Sequence, residues 1–359
     1  MDWEKREKKT MRKHLKLISG IIFSLCVLIL TSVVATHAQT PTNNYDVTVS
    51  PVYFDLTADP GTTLNETIKI RNNTTSPIPI KLGVNKLTGD LNGNLTITPD
   101  KNDTSLTWIR FDNTSVILKP LEWTEIPFSL NIPSDAAYGY YMTISFAQDN
   151  SSPLQRSGAS ITGAAAIPLL LNVRKPGAKA EGKLVEFSTT NYVNEYLPVD
   201  FAIKVQNTGN IHIKPHGNIF ISNGTNSDVA ILDVNSGLGS VLPQSARIFD
   251  ASWDDGFAVM EPVLVDGQPK LDRNGKPEMH LVLNWNKLTS FRFGKFDATL
   301  LLVFDNGTRD VPLEGHLSFW VIPYKLIMAA IVLLLVVLLI IRFTLKWYIN
   351  REVHKRTRN

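Results

Sequence analysis

The residues that could do chemistry are few and scattered. Between the N-terminal leader and the C-terminal apolar run lie four histidines, His212, His216, His280 and His316, and the single cysteine of the chain, Cys26, is in the leader. His212 and His216 are four apart, a spacing that puts both on one face of a strand. Zinc would need at least one more ligand, and no cysteine or HExxH motif supplies it. Lys214 and Pro215 between them read as a strand edge, so both histidines are taken as surface or turn residues. Asp254-Asp255-Gly256 after Trp253 offers two carboxylates but lacks the alternating ligands and distal Glu of an EF-hand loop, and reads as a turn. A glycosidase pair could draw on any two acids, which spacing alone does not exclude. GxSxG, P-loop and GxGxxG signatures are missing, and Gly158-Ala159-Ser160 reads as a loop entering a strand. Trp108, Trp123, Trp253 and Trp285 lie in or beside strands, where such rings stack on sugars or fill a core. The core reading is favoured because no disulfide supports the fold. The expectation is a protein without catalytic residues, metal or cofactor, whose ligand-binding residues the sequence does not identify.

The elements that must position these residues are strands. Short apolar or alternating runs recur between turn residues, among them ETIKIRNN, IPIKLGV, EIPFSLNIP, YYMTISFAQ, PVDFAIKVQN, MHLVLNW and GKFDATLLLVF. Runs of this length and spacing, rich in Val, Ile, Thr, Tyr and Phe, predict an all-β protein of antiparallel, immunoglobulin-like sandwiches. The chain also repeats. TIKIRNNTTSPIPIKLGV pairs with AIKVQNTGNIHIKPHGNIFI, VILKPLEWTEIPFSLNIP with SVLPQSARIFDASW, AYGYYMTISFAQDN with FGKFDATLLLVFDNG, and AAIPLLLNV with GHLSFWVIP. Four matches in one order predict two related sandwiches in tandem, 39–177 and 178–321, joined by the short linker around Pro176-Gly177. The polar stretch from Asp266 to Glu278 predicts an exposed hairpin loop.

Both ends of the chain read as membrane signals. Residues 1–38 have a basic start, an apolar run from Ile21 to Val34 and small residues before Ala38, the pattern of a secretion signal peptide. Leu25 before Cys26 argues against lipidation. Leu326 to Ile341 has no charge, Pro or Gly and predicts a transmembrane helix over 322–345, flanked by Trp320 and Tyr324 on one side and Trp347 and Tyr348 on the other. The tail 346–359 is basic, which places it in the cytoplasm and everything before the helix outside the cell. Between Gln39 and Tyr324 acids outnumber bases by seven, so nucleic acid is not an expected partner. Nine Asn-x-Ser/Thr sites are read as turn residues of a β-protein, and a cysteine-free exterior fits a prokaryotic envelope.

Tyr53-Phe54-Asp55-Leu56, the Pro60-Gly61 turn and the Asn72-Asn73 corner resemble the opening of the WxL-interacting cell-surface proteins of Gram-positive bacteria. The order of leader, two sandwiches, helix and basic tail is similar to that family. The resemblance implies a first domain that binds peptidoglycan and a second that binds a partner surface protein, with no binding residue carried over. Three functions are compatible with the residues: a non-catalytic membrane-anchored protein binding cell-wall glycan or a surface protein; a structural or assembly subunit of an envelope complex; and a glycan-acting envelope enzyme.

Overall fold

The structure, a computed structural model, describes residues 45–148, 164–224 and 226–356. The leader, with Cys26, lies outside them, as do Gly158-Ala159-Ser160 and Asn150. The first ten strands are β1 (Val47–Ser50), β2 (Phe54–Ala58), β3 (Thr63–Asn72), β4 (Ile78–Gly89), β5 (Leu95–Thr98), β6 (Ile109–Phe111), β7 (Ser115–Leu118), β8 (Trp123–Asn131), β9 (Tyr138–Gln148) and β10 (Ala164–Val173). They make two sheets, of order β1-β3-β8-β6 and β2-β10-β9-β4-β5, with β7 also on β4. Next come β11 (Gly182–Thr189), β12 (Val193–Asn194), β13 (Val199–Asn207), β14 (His216–Asn223), β15 (Asn226–Val234) and β16 (Ala246–Trp253). An inserted arm follows, of β17 (Ala258–Pro262), β18 (Leu264–Val265), β19 (Gln268–Pro269) and β20 (Met279–Leu283), before β21 (Gly294–Asp305) and β22 (Asp310–Val321). The second pair of sheets has orders β11-β13-β16 and β12-β22-β21-β14-β15.

The two pairs of sheets repeat one plan. In each, a short strand pairs in parallel with the last long strand, β2 on β10 and β12 on β22, and every other pairing within the sheets is antiparallel. All four sequence matches fall on equivalent strands: β3 and β4 on β13 and β14, β8 on β16, β9 on β21, β10 on β22. The repeat extends to one side chain. Asn72 and Asn207 are fully buried at the corner after β3 and β13. Asn72 Nδ2 donates to the carbonyls of Ser76 (2.7 Å) and Leu118 (3.2 Å). Asn207 Nδ2 donates to those of Ile211 and Val241, both at 2.8 Å. Each Oδ1 accepts a backbone N–H two residues on. A corner turned inside a sandwich leaves backbone carbonyls away from water, and one amide satisfies several of them.

Alternation builds the cores. Along β21, Phe296, Ala298, Leu300, Leu302 and Phe304 face inward, while their neighbours are more exposed. At the end of this sandwich Trp253 packs edge-on against Phe296 (5.1 Å between ring centres) and Phe319 (6.0 Å). Phe146, Ile68, Ile70, Ile80 and Leu130 fill the first sandwich. The run MHLVLNW, expected among the sandwich strands, lies instead on the arm, where β20 pairs only with β17. Its alternating pattern does not distinguish a hairpin from a sheet, because both have period two.

β22 leads within three residues into α1 (Tyr324–Arg356). Its segment Tyr324–Lys346 is long and apolar enough to cross a membrane, and none of it is covered by the rest of the protein. An all-round apolar helix left uncovered is not a core helix.

Candidate functional surfaces

The two sandwiches belong to one compact unit and meet at a joint built from both. Asp55 of β2 faces the segment that turns from β13 into β14. Its Oδ1 lies 3.2 Å from His212 Nε2, and its other oxygen contacts the Lys214 ammonium. From β9, the Tyr141 hydroxyl accepts the His212 backbone N–H at 2.7 Å and lies 3.4 Å from Nδ1. The His212 side chain is only 8% exposed. Burial pulls its imidazole down to about 4 and pushes the Tyr141 phenol up. The ring is therefore neutral at physiological pH. The network is consistent with one tautomer: Nε2–H donates to Asp55, and Nδ1 accepts from the Tyr141 hydroxyl. Each of these polar groups has a partner from the other sandwich, so the cluster latches the two together.

Apolar packing completes the joint. Leu87 and Leu170 of the first sandwich bury against Leu242 of the second, with Tyr141 beside them. Backbone bonds cross it from Ala246 N to Asp90 O (2.9 Å) and from Gly139 N to Asn210 O (3.3 Å). Asn210 also straps the linker, donating to Gly177 O (2.9 Å) and accepting from Lys179 N (2.7 Å). At Gly89 the chains come so close that a Cβ would stand 2.7 Å from Ser245 Oγ.

Beside the latch opens a cleft of about 320 Å³. The first sandwich lines it with Val52, Tyr53 and Leu95, all exposed, and the second with Leu238, also exposed. Arg247 borders it, but its guanidinium is already bonded to Ser240 O and lies 5.3 Å above the Phe249 ring. A second, more polar cavity of about 530 Å³ lies where the arm leaves the second sandwich, lined by Asp254, Glu261, Asn284, Trp285 and Lys287.

The residues singled out in the sequence separate in space. His212 is in the latch, whereas His216 is exposed, its Nδ1 3.1 Å from Lys214 O. The two do not share a strand face, because His212 precedes β14 and Pro215 lies between them. No group of three or more His, Cys, Asp or Glu suited to a metal exists among the described residues. Asp255 is a clamp, bound to Lys287 (2.6 Å) and near Arg292 (3.6 Å), cations that hold its carboxyl below the usual range. Asp254 turns instead toward the polar cavity. Of the tryptophans, only Trp253 fills a core. Trp108 is half-buried against Tyr140, and Trp123 and Trp285 are exposed. Sequence reading missed Tyr141 and the role of Asp55. Tyr141 meets His212 across 71 residues of chain, a distance no local pattern reports.

No protein-family model matches the chain, and no curated protein is significantly similar to it. Solved structures are similar at low identity. The CsuC–CsuE chaperone–tip adhesion subunit complex of Acinetobacter baumannii superimposes at a TM-score of 0.35 and 12% identity, over 75% of this chain and 98% of that one. The Pseudomonas aeruginosa CupB2 chaperone gives 0.33 and 12%, over 66% and 99%. The E. coli chaperone DraB gives 0.32 and 12%, over 76% and 99%. Likeness at this level carries no functional argument, and the description of two immunoglobulin-like sandwiches rests on the strand order above.

Proposed function

We propose that this is a non-catalytic, membrane-anchored surface protein that holds a protein partner in the cleft between two sandwich domains, 39–177 and 178–321. α1 is the anchor. The basic tail lies in the cytoplasm, and the sandwiches stand outside the cell, as the positive residues after the span favour. The observation that carries the reading is the cleft itself. Both sandwiches line it, its large exposed side chains are apolar, and Arg247, the one cation lining it among the described residues, donates to Ser240 O. Aliphatic or aromatic side chains of a partner would be desolvated there at little cost. A polyhydroxylated glycan would lose hydrogen bonds to water and find few in return. The latch holds the two walls at one separation, so the cleft is largely formed before binding.

The test uses the full-length protein in its own membrane. Crosslinking followed by purification from wild-type cells is expected to recover an envelope protein in stable ratio. Leu95→Asp with Leu238→Asp is expected to abolish that recovery without altering thermal stability. Unchanged recovery, or binding to wall sacculi that these substitutions remove, would overturn the assignment.

A further inference from the structure

The end of the second sandwich nearest α1 has an unusual surface. The register places it: β21 starts at Gly294 opposite Val321, the last residue of β22. Val193 and Asn194 of β12 pair with Trp320 and Val321. Tyr192 O accepts from Trp320 N, and Asn194 O from Ile322 N, both at 2.8 Å. β16 ends at Trp253, whose ring packs on Phe296 and Phe319 at this same end. The joint with the first sandwich is at the other end, where β13 finishes and β16 begins. Three chain segments thus converge on a foot within three residues of the helix.

Six aromatics are exposed on this foot: Tyr192, Trp285, Phe291, Phe293, Trp320 and Tyr324. Trp285 is 70% exposed, Phe291 51% and Phe293 55%. The segment from Phe291 to Phe293 is inverted relative to a water-facing loop. Arg292 points inward, 5.5 Å from the Trp253 ring, and donates through Nε to Asp255 O (3.2 Å). The two phenylalanines flanking it point out. Phe257 stacks edge-on with Trp285 (5.3 Å) and packs against Phe291 (6.1 Å), which ties the loop into one body. Each cation of the foot faces a carboxylate of the protein: Lys287 (2.6 Å) and Arg292 (3.6 Å) share Asp255, Lys325 meets Glu195 at 2.7 Å, and Lys295 meets Asp297 at 3.2 Å.

We infer that this foot is a membrane-interface wedge, in which Trp285, Phe291 and Phe293 insert between the headgroups of the bilayer that α1 crosses. The inference rests on α1 being the anchor. A helix of 23 residues spans about 35 Å at ~1.5 Å per residue, more than the ~30 Å hydrocarbon core. Tyr324 therefore stands in the headgroup layer. Val321 lies within about 10 Å of it, the reach of three residues, and Gly294 sits opposite Val321 on the paired strand. Aromatic rings favour that layer, where one part is apolar and the other wet. Because the cations are paired internally, insertion depends on the rings and not on anionic lipid. The wedge would fix the tilt of the sandwiches over the membrane, which a single helix and a two-residue connection do not.

The experiment uses the full chain with Cys26→Ser, reconstituted in phosphatidylcholine nanodiscs with and without phosphatidylglycerol. One cysteine is introduced at a time, as Trp285→Cys, Phe293→Cys, Leu335→Cys or Leu238→Cys, and labelled with a polarity-sensitive fluorophore. The expected result is a blue shift at 285 and 293 with emission lost to lipids carrying a shallow quencher, equal in both lipid mixtures. Position 335 should answer only to deep quenchers, and 238 to neither. If 335 is buried in lipid while 285 and 293 behave like 238, the wedge is wrong and the anchor stands. If 335 is itself in water, the anchor fails and the wedge with it. Shielding of 285 and 293 without lipid quenching would mean a protein covers the foot, and would also overturn the inference.

Discussion

Acid should open the joint between the sandwiches, through His212. In the folded protein burial pulls this imidazole from 6.5 down to about 4. In the unfolded chain it titrates near its ordinary value. Between those two pH values the unfolded state binds the extra proton, so stability rises with pH there. The contribution is present in full above about pH 6.5 and is lost as pH falls toward 4. A displacement from 6.5 to about 4, at ~1.4 kcal/mol per pH unit, sets a ceiling of roughly 3 kcal/mol. The Asp55 carboxylate 3.2 Å from Nε2 favours the imidazolium and works against burial, and Lys214 beside it opposes Asp55. We expect about 1–3 kcal/mol to be realised. The assay is urea unfolding of the full-length protein in nanodiscs, followed by the red shift of tryptophan emission as the fully buried Trp253 becomes exposed. Wild type is compared with His212→Gln from pH 7.5 to 4.5, because acidic groups remote from the joint titrate equally in both and cancel in the difference. Wild type should lose its advantage over the variant as pH falls. A difference that stays constant with pH, or grows toward acid, would refute a neutral His212 in the joint.

Two further predictions concern the buried corners and the close approach at the joint. Replacing either corner asparagine, Asn72→Ala or Asn207→Ala, orphans buried backbone groups and should cost about 2–4 kcal/mol. The two losses should add, since the residues sit in different cores; the denaturation midpoints of the single and double variants check this, and loss of less than 0.5 kcal/mol (about the effect of an ordinary surface change) would count against the corner bonds. Gly89→Val should destabilise by about 1–3 kcal/mol through overpacking, because its Cβ would stand 2.8 Å from Ser245 Cβ. Ser245→Gly should recover part of that loss in the double variant, and a double-mutant cycle with no coupling would show that the close approach does not matter.

Local and repeated features are legible in the chain alone. Alternation in GKFDATLLLVF places Phe296, Leu300 and Phe304 on one face, because a strand turns its side chains through half a revolution per residue. Matching corners at Asn72 and Asn207 announced two copies of one plan, since a buried turn demands the same amide wherever it occurs. An uncharged run of sixteen residues from Leu326 to Ile341 marked the helix, because only a helix satisfies its own backbone in hydrocarbon. What the tertiary structure alone decided depends on pairs distant in the chain. MHLVLNW reads as any strand, and only its partner β17 shows that it belongs to an arm. Trp253 and Trp285 are alike in sequence context, yet one is the centre of a core and the other is exposed against Phe257. His212 looked like a turn histidine until Asp55 and Tyr141 closed over it. Arg292 and the phenylalanines around it show no helical or strand period that would reveal which faces inward. The reason is common to all of these. Periodicity reports which side of an element is apolar, while burial and charge depend on what packs against that side, and that is settled only when distant strands and the two sandwiches come together.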